Sequence, residues 1–126
     1  MSVASYCPMG THFHLNLWQK EVGGLEAFMR SLLTAYVKYF NHRHGLNGPL
    51  FAGPYRARRL NSAKAFKWAV VYVHDNHRDG VAHRFSSHTA FIDEGQRPPW
   101  LAVEPALRVF GGPAEYGRYV NAVAER

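Results

Sequence analysis

Residues 2–18 read SVASYCPMGTHFHLNLW. Two partly apolar runs, Ser2–Cys7 and His12–Trp18, flank a connection that contains a turn-forming proline and glycine, which predicts a β-hairpin. Because side chains alternate between the two faces of a strand, His12 and His14 are expected to share one face of the second strand. The other face carries the apolar residues expected to anchor this strand in the core, Phe13, Leu15 and Leu17.

Two long helices are predicted after the hairpin. Apolar residues recur at intervals of three and four from Leu25 to about Asn41, the period of a helix with one buried face. Ser62 is a suitable N-cap for a second helix that runs to about Asn76, with Gly80 as its stop. The apolar face of this second helix consists of Phe66, Ala69, Val70 and Val73.

The remaining segments predict shorter elements. Residues Leu50–Leu60 alternate loosely between apolar and polar, which indicates a strand interrupted near Pro54, at an edge or a bulge. After a loop rich in Ser, Arg, Pro and Gly, helical patterns recur at Glu104–Phe110 and Pro113–Ala124. We therefore expect one domain over residues 1–80 and a C-terminal helical extension over residues 81–126.

Composition describes a basic globular chain. Its 126 residues, 47% of them hydrophobic, are enough to bury a core. Fifteen Lys and Arg against nine Asp and Glu give a formal charge of +6, which favours an anionic partner such as nucleic acid or an acidic membrane surface. The single cysteine, Cys7, cannot form an internal disulfide and fits a reducing, cytosolic setting. Without a long apolar run or a signal-peptide pattern, neither membrane insertion nor export is expected.

The His12–His14 pair is a candidate metal site. Neutral imidazole suits Mn and similar divalent metals. Spacing alone is weak evidence, because eight histidines in 126 residues give roughly half of one His-x-His pair by chance. His42 and His44 form a second pair, in a polar segment after a predicted helix, where solvated histidines are the simpler interpretation.

A second group of polar residues, Tyr72 to Asn76, lies near the end of the second predicted helix. The four-residue offset places Tyr72 and Asn76 on one stripe of that helix. A tyrosine oxygen can act as a covalent nucleophile. A divalent metal that polarises a phosphate makes the phosphorus easier to attack, so a weaker nucleophile suffices. An amide oxygen is also a ligand suited to Mg. In isolation, Tyr72 would be interpreted as a half-buried helix residue.

Four ordered segments resemble the REP-associated tyrosine transposases, which are single-tyrosine HUH transposases. Residues 5–15, SYCPMGTHFHL, are similar to the family's AYCLMPNHVHLL. Residues 39–41, YFN, and 48–56, GPLFAGPYR, look like its YFN…GHLFQGRYK, and residues 72–76, YVHDN, look like its YIHLN. The tail from Phe85 to Val120 is similar to the family in order and spacing.

The resemblance implies an activity and a site. In the family, the paired histidines and an Asn or Gln one turn after the tyrosine bind a divalent metal, Mg or Mn; here these are His12, His14 and Asn76. The tyrosine, here Tyr72, attacks a phosphate of single-stranded DNA beside a hairpin, such as a REP-like or transposon-end structure. Cleavage leaves a 5′-phosphotyrosine and a free 3′-hydroxyl, so that strands are rejoined without an external energy source. A bacterial, cytoplasmic DNA transposase and endonuclease is thus expected.

The resemblance also implies an α+β fold, with a ferredoxin-like antiparallel sheet and helices on one face. Family members begin with a strand and a helix before the hairpin, and this sequence starts at the hairpin. Three explanations stay open: a start that lies upstream, a degenerate remnant, or a second copy that fills the gap in a homodimer. A strand edge left unpaired favours pairing with another chain.

Basic residues are concentrated before and within the tyrosine helix, with aromatic residues between them. Such a mixture suits single-stranded nucleic acid, because phosphates meet cations and unstacked bases meet rings. A solvated basic face over core aromatics is the competing interpretation. The candidate DNA-binding residues are Arg56, Arg58, Arg59, Lys64 and Lys67.

Two other functional classes compete with the nuclease. A catalytically inactive, truncated or domesticated remnant would bind single-stranded DNA regardless of metal and of Tyr72. A structural zinc module built on His12, His14 and further histidines is disfavoured, because the chain lacks the cysteine pairs usual in such sites.

Overall fold

The computed structural model describes residues 1–8, 12–75 and 85–124. The protein is α+β, with a two-stranded antiparallel sheet and helices. The chain divides into two compact units, one formed by Met1 with Gln19–Arg59 and the other by Ser2–Trp18 with Leu60–Arg126. The elements are β1 (Ser2–Pro8), β2 (Phe13–Trp18), α1 (Gly24–His44), α2 (Ala63–Asp75), α3 (His88–Ile92), a 3₁₀ turn (Glu94–Gln96), α4 (Val103–Phe110) and α5 (Pro113–Ala124).

The predicted hairpin is confirmed. Strands β1 and β2 pair antiparallel, with Cys7 opposite His14 and Ser5 opposite Asn16, and the register shifts between Val3 and Ser5. The connection at residues 9–11 lies outside the described residues.

The buried face of β2 differs from the expectation. Asn16, on the same face as the histidines, is the buried residue of β2, and its Nδ2 donates to the buried Ser5 Oγ over 2.7 Å. On this face the Trp18 ring stacks on Phe66 of α2, with centroids 5.2 Å apart. The prediction that Phe13, Leu15 and Leu17 anchor the strand was wrong. Helix α2 covers the face that carries His14, Asn16 and Trp18, whereas Phe13, Leu15 and Leu17 on the other face are half-buried. A polar residue is tolerated there because Ser5 satisfies its amide.

Helix α2 confirms the predicted start and buried face. The Ser62 Oγ accepts a hydrogen bond from the Ala65 amide over 3.1 Å, which satisfies one of the amides left without an intrahelical partner. Phe66, Ala69, Val70 and Val73 are all buried, as the spacing predicts.

Replacing this cap gives a first testable prediction. Ser62→Ala is expected to lower the free energy of unfolding by about 1 kcal/mol, and Ser62→Asp by much less, because aspartate also accepts at an N-cap. Ser31→Ala, at an exposed position inside α1, is the matched control. Denaturant unfolding followed by circular dichroism measures the difference; equal effects of Ser62→Ala and Ser62→Asp would contradict the capping role.

The C-terminal helices share one core with the hairpin and α2. The Ala102 amide donates to the Val3 carbonyl, and the Ser87 amide donates to the Tyr6 carbonyl, each over 2.9 Å. Residues from both sides of position 80 form a single apolar cluster. This cluster includes Ala4, Phe66, Val70, Phe91, Val103, Leu107, Phe110 and Tyr116. The predicted helices Glu104–Phe110 and Pro113–Ala124 are confirmed as α4 and α5.

The unit formed by Met1 and residues 19–59 contains α1, which confirms the predicted first helix. Met29 is the buried residue of α1, whereas Tyr36 and Tyr39 are exposed, so the continuous buried face suggested by the spacing is not formed. Residues 50–60 form no strand, which corrects the prediction for this segment. Pro54 cannot donate a ladder hydrogen bond, and the preceding Gly53 adds backbone freedom. No helix in the described part of the chain is long and apolar enough to span a bilayer.

Candidate active site

The two histidines of the hairpin lie side by side, as strand alternation predicts. The ring centroids of His12 and His14 are 5.0 Å apart, and the rings are nearly perpendicular, at 88°. His12 is exposed, and His14 is partly buried beside α2. The pair therefore presents two imidazoles on one face, at the edge of the unit's core.

The surroundings of His14 favour its neutral form. Burial lowers the pKa of this imidazole, and the nearby His12 lowers it further by charge repulsion. A neutral imidazole has a lone pair available for a metal, so the lowered pKa suits a ligand role.

Helix α2 brings Tyr72 to the same place. The Tyr72 and His14 rings are 6.0 Å apart between centroids and meet edge to face, at 80°. Tyr72 is half exposed, so its ring is accessible from solvent while it lies beside the histidine pair. Two residues far apart in sequence thus converge because β2 packs along α2.

The expected metal ligands are brought together in part. His12 and His14 are adjacent, whereas Asn76 lies outside the described residues. Within residues 1–8, 12–75 and 85–124, no group of three His, Cys, Asp or Glu side chains is arranged to hold a metal. Two neutral imidazoles are nitrogen donors of the kind that Mn and similar divalent metals bind.

The competing pair, His42 and His44, lies in the last turn of α1 rather than after the helix. Both residues are exposed. Positions two apart on a helix do not face each other, so this pair is unsuited to a shared metal, and the solvated interpretation agrees with the structure.

No family model, curated protein or solved structure matches the chain.

The candidate DNA-binding residues fall in both units. Lys64 is exposed on α2, on the same stripe as Tyr72 at an offset of eight residues. The Lys67 Nζ lies over the Tyr119 ring of α5, 5.6 Å from its centroid, and makes a cation–π contact with it. Arg56, Arg58 and Arg59 are exposed in the irregular segment that ends the unit containing α1.

A buried polar network next to the site was not predicted from the sequence. His74, two residues after Tyr72, has its Nδ1 2.8 Å from the Tyr116 hydroxyl and its Nε2 2.7 Å from the Ser87 Oγ. The same Tyr116 hydroxyl lies 2.7 Å from the Nδ1 of His88. The Ser87 Oγ also accepts from the Tyr6 amide over 2.9 Å. This network ties the C-terminal end of α2 to β1, α3 and α5.

A neutral arrangement of protons is consistent with these four hydrogen bonds. If His88 Nδ1–H donates to Tyr116, the Tyr116 hydroxyl donates to His74 Nδ1, and His74 Nε2–H then donates to Ser87. The Ser87 hydroxyl donates in turn to the Tyr6 carbonyl, 3.2 Å away. Periodicity could not reveal this network, because its members are single polar residues on four separate elements.

Proposed function

We propose that the protein is a metal-dependent single-stranded DNA endonuclease and strand-transferase, a transposase of the single-tyrosine HUH type. The observation that carries the proposal is the contact between His14 and Tyr72, with ring centroids 6.0 Å apart. It joins the His-x-His pair of the hairpin to the tyrosine of α2, which are the two motifs that the chemistry requires in one site.

The proposed reaction is a transesterification. The Tyr72 oxygen attacks a DNA phosphorus and loses its proton to solvent, a new P–O bond forms, and the bond to the 3′-oxygen breaks. The leaving oxygen takes up a proton to become a free 3′-hydroxyl, while the 5′-phosphate stays on Tyr72. A bound Mg or Mn ion would polarise the phosphate and stabilise its developing charge. His12 and His14 would hold that ion, together with Asn76 as the family resemblance implies.

The proposal extends to the setting and the fold. Single-stranded DNA with a hairpin is the proposed substrate, and the bacterial cytoplasm is the proposed compartment. A ferredoxin-like sheet is the proposed fold family, of which the hairpin with α2 packed on one face would form part.

A second function, non-catalytic binding of single-stranded DNA, is favoured by one specific observation. The exposed rings of Trp68 and Tyr72 stack on each other and share one stripe of α2 with the exposed Lys64, and this arrangement can bind a strand without any metal. The two functions differ in whether a covalent bond forms.

Labelling the two ends of the DNA separately tests the proposed function. We expect a hairpin-containing oligonucleotide pool with randomised single-stranded flanks to give a denaturation-resistant adduct in Mn or Mg and none after chelation. A 3′-end label should remain on the protein and a 5′-end label should leave with the released fragment that ends in a free 3′-hydroxyl, because Tyr72 keeps the 5′-phosphate. Salt-sensitive binding with no adduct in either metal would instead establish the non-catalytic function.

A further inference from the structure

We infer that Trp68 is a stacking platform for a nucleobase of the strand whose phosphate Tyr72 attacks. This inference rests on the proposed function and names how the same site would hold its substrate. It assigns a base-binding role to a residue that belongs neither to the metal ligands nor to the nucleophile.

The geometry sets Trp68 apart from core aromatics. Its ring stacks on Tyr72, with centroids 5.0 Å apart and planes at 14°, and 53% of Trp68 is exposed. The buried face of α2 is formed by other residues, including Phe66 and Val70. Trp68 therefore adds little to the core. Together with the ring of Tyr72 it forms an exposed aromatic surface.

The order of side chains along α2 matches the repeating chemistry of a nucleic-acid strand. Lys64, Trp68 and Tyr72 are spaced four residues apart, so they form one stripe with a rise of about 6 Å per step. The stripe offers a cation for a phosphate, a ring for a base, and then the nucleophile for the next phosphate. A strand following the helix could contact all three in succession.

Charge favours an anionic partner over an apolar one, and the exposed ring of Trp68 makes a nucleic acid the better match among anionic partners. No acidic side chain lies in the first turn of α2, and its first two turns carry Lys64 and Lys67. The whole chain has a formal charge of +6. A protein partner would need a large apolar patch, whereas a base needs one accessible ring plane with a cation nearby.

Equilibrium binding isolates the stacking contribution from catalysis. The probes are a labelled thymidine oligomer and an abasic oligomer of equal length, which carry the same charge but differ in their bases, measured by fluorescence anisotropy in chelator. Trp68→Ala is expected to reduce the preference for the base-bearing strand by about 10-fold, while leaving affinity for the abasic strand unchanged. Trp68→Phe should retain most of the preference, because it keeps a ring.

Trp100 provides the matched control. It is also a tryptophan in the same unit and is 60% exposed, but its ring contact is with Tyr6 rather than with the nucleophile. Trp100→Ala is expected to leave the preference for bases unchanged. An equal preference in wild type and Trp68→Ala, or an equal loss in Trp100→Ala, would overturn the inference.

A cleavable substrate then locates the stacked base. Once the scissile phosphate is mapped from the adduct, single abasic sites are introduced on either side of it. One flanking abasic site should slow adduct formation by wild type about 10-fold and have little effect on Trp68→Ala. A flat abasic scan in wild type would overturn the inference. Absence of any adduct would overturn the proposed function, whereas the binding comparison tests stacking without cleavage.

Discussion

Tyr72→Phe is expected to form no covalent adduct with single-stranded DNA in Mn or Mg, whereas wild type does. Phenylalanine keeps the ring that stacks on Trp68 and contacts His14, but it lacks the oxygen that, in the proposed reaction, would attack phosphorus. Binding of the strand should therefore be retained while the chemical step is lost. Denaturing electrophoresis measures the adduct and fluorescence anisotropy measures the binding, on the same 3′-labelled oligonucleotide.

Tyr39→Phe is the matched control, because Tyr39 is an exposed tyrosine on α1, away from the histidine pair in sequence. This variant should form the adduct at the wild-type rate. If Tyr72→Phe still became labelled, the nucleophile would be another residue, which peptide mass spectrometry would identify. If Tyr72→Phe lost binding and adduct together, the phenol would be a DNA contact rather than the attacking group.

Periodicity predicted most of the local elements, but the strand expected over Leu50–Leu60 does not form. The alternating run around His12–His14 gave the second strand, and the three-and-four spacing gave α1, α2, α4 and α5. It could not predict which face of β2 is buried, because that depends on where α2 packs. Asn16 is buried there only because Ser5, across the hairpin, satisfies its amide.

The part of the candidate site that consists of short sequence motifs could be predicted from the sequence. The His-x-His spacing placed both rings on one face, and the contact of His14 with Tyr72 agrees with the motif pairing. The stack of Trp68 on Tyr72 follows from a four-residue helical offset and could have been predicted from the same spacing. The network around His74 could not, because Ser87, His88 and Tyr116 reach it only through the tertiary fold.

This network makes the C-terminal helices part of the site's support. His74 is buried two residues after Tyr72, and its ring nitrogens contact Tyr116 and Ser87. A helix held at this point keeps a defined rotation, which fixes the direction in which Tyr72 projects. The segment that the sequence suggested as an extension thus orients the tyrosine helix.

Tyr116→Phe is expected to lower the free energy of unfolding at neutral pH by about 2 kcal/mol, because the nearby imidazole nitrogens of His74 and His88 lose this buried partner. Tyr119→Phe, three residues further along α5, is the matched control and should change stability by less than about 0.5 kcal/mol. Denaturant unfolding followed by circular dichroism measures both. A change for Tyr116→Phe no larger than the control would show that the hydroxyl contacts contribute little to stability.

The pH dependence of this difference tests the same contacts independently. Burial raises the pKa of Tyr116 well above its usual range, whereas an unfolded tyrosine ionises near 10. The folded state therefore binds more protons than the unfolded state above pH 10, so the tyrosine's contribution is complete below that pH and is lost as pH rises. The advantage of wild type over Tyr116→Phe should shrink by about 1.4 kcal/mol per pH unit beyond that point. If the difference in unfolding free energy between wild type and Tyr116→Phe stayed constant from pH 8 to 11, Tyr116 would ionise as readily in the folded protein as in the unfolded chain. That result would contradict the burial of its hydroxyl between two imidazoles.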